Sequence, residues 1–166
     1  MQLLLGKFLG LLDDEIGLYG TLLLTLQREK RAVVASNLNA LSESSKEKES
    51  LFLKIRILEE QRLALIGRLA QELAQEAQSL TLTKLAQLVE EPYATGIRNR
   101  QSSFLSLAQS IQEINLSNKA LLDHSLDVVR GSLSLLHDLM PSCPFYYRTG
   151  KMPSGDQIGK LLSGKA

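Results

Sequence analysis

Ile97-Arg98-Asn99-Arg100-Gln101-Ser102-Ser103-Phe104-Leu105-Ser106-Leu107-Ala108-Gln109-Ser110-Ile111-Gln112-Glu113-Ile114 opens the stretch that decides the fold, which runs on to Met140. Its apolar residues keep helical spacing throughout, it contains no Pro, and its only Gly is Gly131. On a wheel of about 100° per residue, Phe104, Ala108, Ile111, Leu122, Leu126, Val129 and Leu133 share one side. Leu107, Ile114, Leu121, Val128, Leu135 and Leu139 widen that side to nearly half the circumference. An amphipathic helix of a globular protein shows a stripe of about 100° or a little more. Part of this face is therefore expected to complete a bundle, and the surplus to await a partner.

The rest of the chain supplies the other bundle members. From Gln2 to about Ala35, the residues Leu5, Leu9, Leu12, Ile16, Tyr19, Leu23, Leu26, Lys30 and Val33 follow alternating steps of four and three, the heptad spacing of a helix with one partnered seam. Gly6, Gly10, Gly17 and Gly20 each cost this helix up to about 1 kcal/mol relative to Ala, so packing must hold it. The register slips at Ser36-Asn37, and Ser42-Glu43-Ser44-Ser45 reads as a cap, which predicts a chain reversal there. A second helix is expected to about Ser79, with Leu51, Ile55, Leu58, Leu65, Leu69, Leu73 and Ala77 inward and Glu59, Glu60, Arg62 and Arg68 largely outward. Thr81 or Thr83 caps a short helix ending near Glu90, after which Pro92 and Gly96 break the pattern. Pro141-Ser142-Cys143-Pro144 should stop the third long helix. The expected fold is all-α: an antiparallel bundle or coiled coil of three long helices with a short connecting helix over residues 1–140, followed by a flexible Pro/Gly-rich C-terminal tail over 141–166.

Composition agrees with an all-helical protein. There is no Trp, aromatics make up 5% and hydrophobic residues 44%, and helix formers dominate. The net charge of +1 provides no field for nucleic acid, and the mildly basic tail, with four cations against one acid, is too sparse for a nucleic-acid face. The single cysteine, Cys143, has no internal disulfide partner, which favours a reducing, cytoplasmic setting. Lys7 interrupts the apolar start and Asp13-Asp14-Glu15 follows it, so it reads as amphipathic helix rather than a signal peptide, and no run approaches the roughly 20 residues that span a bilayer.

No motif points to catalysis. Gly159 to Lys165 spells the start of a phosphate loop, but the chain has no Ser or Thr after it and no following helix. His124 and His137 lack the Glu-x-x-His spacing of di-metal bundles, and Cys143 has no ligand companions, so neither metal nor cofactor is expected. Asn115 and Asn118 enter the apolar arc, either as seam residues that fix register at some cost in stability or as hydrogen-bonding members of a ligand groove. Tyr146 and Tyr147 beside Phe145 concentrate aromatic character in the tail, as partner anchors do.

Several stretches resemble the FlgN-type flagellar export chaperones in the same order. They are Glu15 and Tyr19 in a leading heptad helix, Lys30-Arg31-Ala32-Val33-Val34 running into Asn37-Leu38-Asn39-Ala40-Leu41, Lys46-Glu47-Lys48-Glu49, and Arg62 within Leu58-Glu59-Glu60-Gln61-Arg62. Asn115-Leu116-Ser117-Asn118-Lys119-Ala120-Leu121-Leu122 and a Tyr-then-Gly tail complete the likeness, which covers most of the chain. The resemblance implies a cytoplasmic, non-enzymatic, all-helical chaperone. Such a protein binds the C-terminal helical segments of hook-associated proteins, prevents their premature polymerisation and delivers them to the membrane export gate. It further implies a client groove on the C-terminal part of the chain, for which Leu107, Ile114, Asn118, Leu121, Val128 and Leu135 are the candidates, and gate docking through Tyr146 or Tyr147, Tyr146 keeping a Tyr-x-x-x-Gly spacing to Gly150. The sixteen residues after Gly150 extend beyond the shorter family pattern. The alternative is a structural or adaptor coiled-coil protein that uses the same surface to form a homodimer.

Overall fold

The structure, a computed structural model, describes residues 1–139. These residues form α1 (Gln2–Val34), α2 (Leu38–Glu72), a 3-10 turn at Ala77–Ser79, α3 (Leu82–Leu88) and α4 (Tyr93–Leu139), with no strand among them. The chain divides into two compact units, Met1–Ser125 and a second that opens at Leu126, inside α4. The expected helix stop at Pro141 and the tail over 141–166 lie outside the described residues.

In the first unit α1 and α2 form an antiparallel hairpin. The Met1 amino group meets Glu72 at 2.9 Å, closing the end opposite the turn. The turn itself is tighter than the sequence suggested. Ser36 adopts φ 53, and the Asn37 and Ser36 amides donate to Ala32 O (2.9 Å) and Val33 O (3.0 Å). This pair of bonds is a Schellman end, which satisfies carbonyls that the last turn of a helix leaves free. Asn37 then caps α2, its side chain accepting from the Ala40 amide at 3.0 Å. The reversal predicted at Ser42–Ser45 therefore occurs six residues earlier, and those serines lie inside α2, where the Ser44 hydroxyl donates to Ala40 O at 2.9 Å. Serine suits both a cap and a helical side chain bonded to its own backbone, and only the neighbouring Asn37 shows which applies.

α2 closes the same way at its other end. Ala74 takes φ 51, and the Gln75 amide donates to Ala70 O at 2.9 Å. The helix thus stops at Glu72 rather than near Ser79, and Ala77, expected inward, is exposed in the 3-10 turn. Thr81 caps α3 as expected, accepting from the Lys84 amide at 3.2 Å. α4 begins at Tyr93, before Gly96 rather than after it. Its free amides are satisfied by Glu90 O and by the Glu91 carboxylate, which accepts from Thr95 N at 3.1 Å. Gly96 lies inside the helix, where a Cβ would stand 3.1 Å from the Leu9 side chain. The glycine marks a close approach of α4 to α1, not a helix break.

Two apolar clusters hold the unit together. Near the chain start, Leu5, Phe8 and Leu12 of α1 pack with Leu69 and Ala70 of α2, Leu80, Leu85 and Ala86 of the connector, and Ile97 of α4. Nearer the turn, Leu22 and Leu26 pack with Leu51 and Ile55, with Leu18, Tyr19, Ile111 and Ile114 against them. Between the clusters, Glu15 is buried and accepts a bond from Arg62 Nε at 3.1 Å. Arg62, expected on the outer face, is drawn inward by this partner, because a buried carboxylate without one is costly. α1 thus buries more than one seam: Phe8, Leu11, Glu15, Leu22, Thr25 and Glu29 join the heptad positions. It serves as the central helix for both α2 and α4.

Candidate functional surface

α4 runs in the same direction as α1 and is fastened to it at two levels in the first unit. At the first, Arg100 donates from Nε to Leu9 O (3.2 Å) and from Nη2 to Asp13 (2.5 Å). At the second, Asn118 is 2% exposed and its amide nitrogen donates to Leu26 O (2.8 Å) and to Glu29 Oε2 (3.0 Å). The other Glu29 oxygen accepts from Lys48 of α2, so one buried carboxylate ties three helices. Asn118 Oδ1 is buried without a hydrogen-bond partner. Tyr19 and Phe104 add an edge-to-face contact between the two helices, with ring centroids 5.7 Å apart. Such pairs contribute about 0.5–1.5 kcal/mol beyond the area they bury.

Along α4 the candidate groove residues fall into three environments. Ile114 packs on the cluster around Leu22 and Leu26, and Asn118 is spent on α1. Leu107 and Leu121 are half-buried. Val128 and Leu135, in the second unit, are 55% and 64% exposed. They have company that the candidate set omitted: Leu126, Val129, Leu133, Leu136 and Leu139 are all more than half exposed. Wheel spacing placed all of these except Leu136 in the arc, but it does not distinguish a side chain covered by a neighbour from one left open. Asn115, the other polar residue of the arc, is exposed.

Within the second unit the segment Leu126–Leu139 therefore presents apolar side chains over about half its circumference. Asp127, Arg130, Ser134, His137 and Asp138 occupy the other half, with Arg130 and Asp127 paired at 3.5 Å. The exposed apolar half is what an apolar helix face would need as a partner surface, and no catalytic constellation stands beside it among the described residues. Among the described residues, no group of three His, Cys, Asp or Glu side chains could hold a metal ion, and His124 and His137 are both exposed. No helix among them is long and apolar enough to cross a membrane. Tyr146 and Tyr147 lie outside the described residues.

A family model described as FlgN protein matches residues 1–154. The chain belongs to the FlgN family. This is a family of flagellar export chaperones, not known as enzymes, whose members bind flagellar hook-associated proteins. No curated protein and no solved structure matches the chain. The FlgN match covers α1 to α4 whole, so the helices that build the hairpin and the exposed apolar segment both fall inside it.

Proposed function

We propose that this FlgN-family chain acts in the cytoplasm as a chaperone for hook-associated proteins. It binds their C-terminal helical segments, keeps them from polymerising early and brings them to the export gate. The observation that carries the reading is the run of exposed Leu and Val over Leu126–Leu139. A contiguous apolar surface of this kind marks an interaction site. An amphipathic client helix laid on it would be read through anchors spaced i, i+3, i+4 and i+7. Val128 and Leu135, seven residues apart, form one such lane in the second unit, and Leu107, Ile114 and Leu121 share its heptad register on the part of α4 that belongs to the first. Gate docking is assigned to Tyr146, with Tyr147 as its alternative.

Co-purification with a hook-associated protein tests the client surface. Val128→Asp is expected to abolish capture while the helical circular dichroism stays that of the parent, because Val128 is exposed and supports no core contact. Undiminished capture by Val128→Asp and by Leu135→Asp would remove the segment from the client site.

A further inference from the structure

The half-circumference apolar arc of α4 leaves one quantity undetermined. Hydrophobic contact is non-directional, so a helix with apolar residues over so wide an arc can roll about its axis while exchanging one Leu or Ile for another. Ile114 and Leu122 stand about 40° to either side of Asn118 on the wheel, and Leu121 about 60° away. A roll by that amount presents an alternative apolar side chain to α1 at little cost. A hydrogen bond does have a direction, weakening steeply away from alignment. Asn118 supplies two, to Leu26 O and Glu29 Oε2, from the middle of the inward face at the last buried position of α4.

We propose that Asn118 is the positioning residue that sets the roll of α4 on α1 beyond the fastening at Arg100, and so decides which of Ile111, Ile114, Leu121 and Leu122 are covered and which stay outward in the first unit. Glu29 is a fixed target for it, since Lys48 holds the other carboxylate oxygen from α2. The buried, unpartnered Oδ1 weighs against a role in stability alone. An apolar side chain would fill the same space without an unsatisfied acceptor. Asn at an apolar seam is a device for selecting one arrangement among several of similar energy. The consequence for binding rests on the client reading given above: a chain that samples several rolls presents Leu121 and its apolar neighbours in the first unit to a client only part of the time.

The test replaces Asn118 in the full chain and reads roll and binding separately. In the parent, methyl NMR should show one set of contacts from Ile111 and Ile114 to Leu22 and Leu26. Asn118→Leu keeps the volume and removes the directed bonds, and is expected to give a second set or exchange-broadened signals at Ile114 with the helix content unchanged. Its affinity for a purified C-terminal helical segment of a hook-associated protein should fall about threefold, the loss expected when the competent arrangement drops to about a third of the population. Asn118→Ser provides the same readouts if the leucine variant does not fold. A single unchanged set of contacts in the folded variant would overturn the assignment, whatever the affinity. Absence of binding by the parent would instead defeat the client reading, and the methyl contacts would still decide the roll.

Discussion

At the scale of the residue, two backbone positions and one carboxyl make distinct predictions. Ser36 and Ala74 are non-glycine residues in the left-handed region, at φ 53 and 51. That conformation costs an L-residue roughly 1–2 kcal/mol, set here against the Schellman bonds it permits. Ala74→Gly should therefore raise stability by about 0.5–1 kcal/mol in urea titration, offset in part by the greater freedom of glycine in the unfolded chain. Glu15 concerns pH. Burial raises its pKa above the ordinary glutamate range, while the Arg62 charge and hydrogen bond pull it down without cancelling the rise. Folded Glu15 thus holds its proton more tightly than unfolded Glu15. Its contribution to stability is fully present below the unfolded pKa and is lost as pH rises through the folded one. Relative to Glu15→Gln, the parent should gain stability as pH is lowered through that window. A relative loss on acidification would mean that Arg62 outweighs burial.

At the scale of the element, α1 holds glycines that the rest of the chain does not need. A Cβ at Gly6, Gly10, Gly17 or Gly20 would meet nothing within 4 Å, in contrast to Gly96 against Leu9. Gly10 and Gly17 each border a shallow open hollow between α1 and α2. Each Gly→Ala change removes a helix-propensity penalty of about 0.8–1 kcal/mol. The double variant Gly10→Ala, Gly17→Ala should melt several degrees higher, about 4–8 °C per kcal/mol in a 60–100-residue domain and less in a longer one. Gly96→Leu should be destabilising because the space beside Leu9 is taken. Helix type and approximate extent were legible from periodicity: α1, the existence of α2, the Thr81 cap and the long α4 all follow from spacing and caps. Ends were less so. Ser36-Asn37 and Ser42–Ser45 carry similar capping chemistry, and the left-handed residues that end α1 and α2 are a Ser and an Ala rather than the Gly that usually marks such an end. The inward turn of Arg62 and the partners of Asn118, which spacing did place in the arc, were hidden because each depends on a carboxylate from another helix, Glu15 and Glu29, distant in sequence.

At the scale of the whole molecule, the sequence legibly predicted an all-helical chain with more apolar surface than a single partner helix needs. Which part of that surface stays open was not legible, because it depends on where α1 and α2 cover α4. Exposed Leu and Val over Leu126–Leu139 also offer a site for a second copy of the chain. Light scattering over a range of concentrations separates the two uses. The client reading predicts a monomer, or a weak dimer that the client dissociates, whereas a tight dimer that Leu135→Asp turns into monomers would support the self-associating alternative.

The shortness of the three-residue turn between α1 and α2 has a consequence in time. The cluster of Leu22, Leu26, Leu51 and Ile55 lies beside that turn, so its closing loops are short and form early. The cluster around Phe8 and Leu12 must wait for Leu80, Leu85 and Ile97 to be made. As the chain leaves the ribosome, the hairpin should close from its turn outward, with Glu29 and Lys48 already joined before Asn118 has been synthesised. The exposed apolar end of α4 would then be the last of the described helical segments to be synthesised, after the scaffold that receives the rest of that helix has been built.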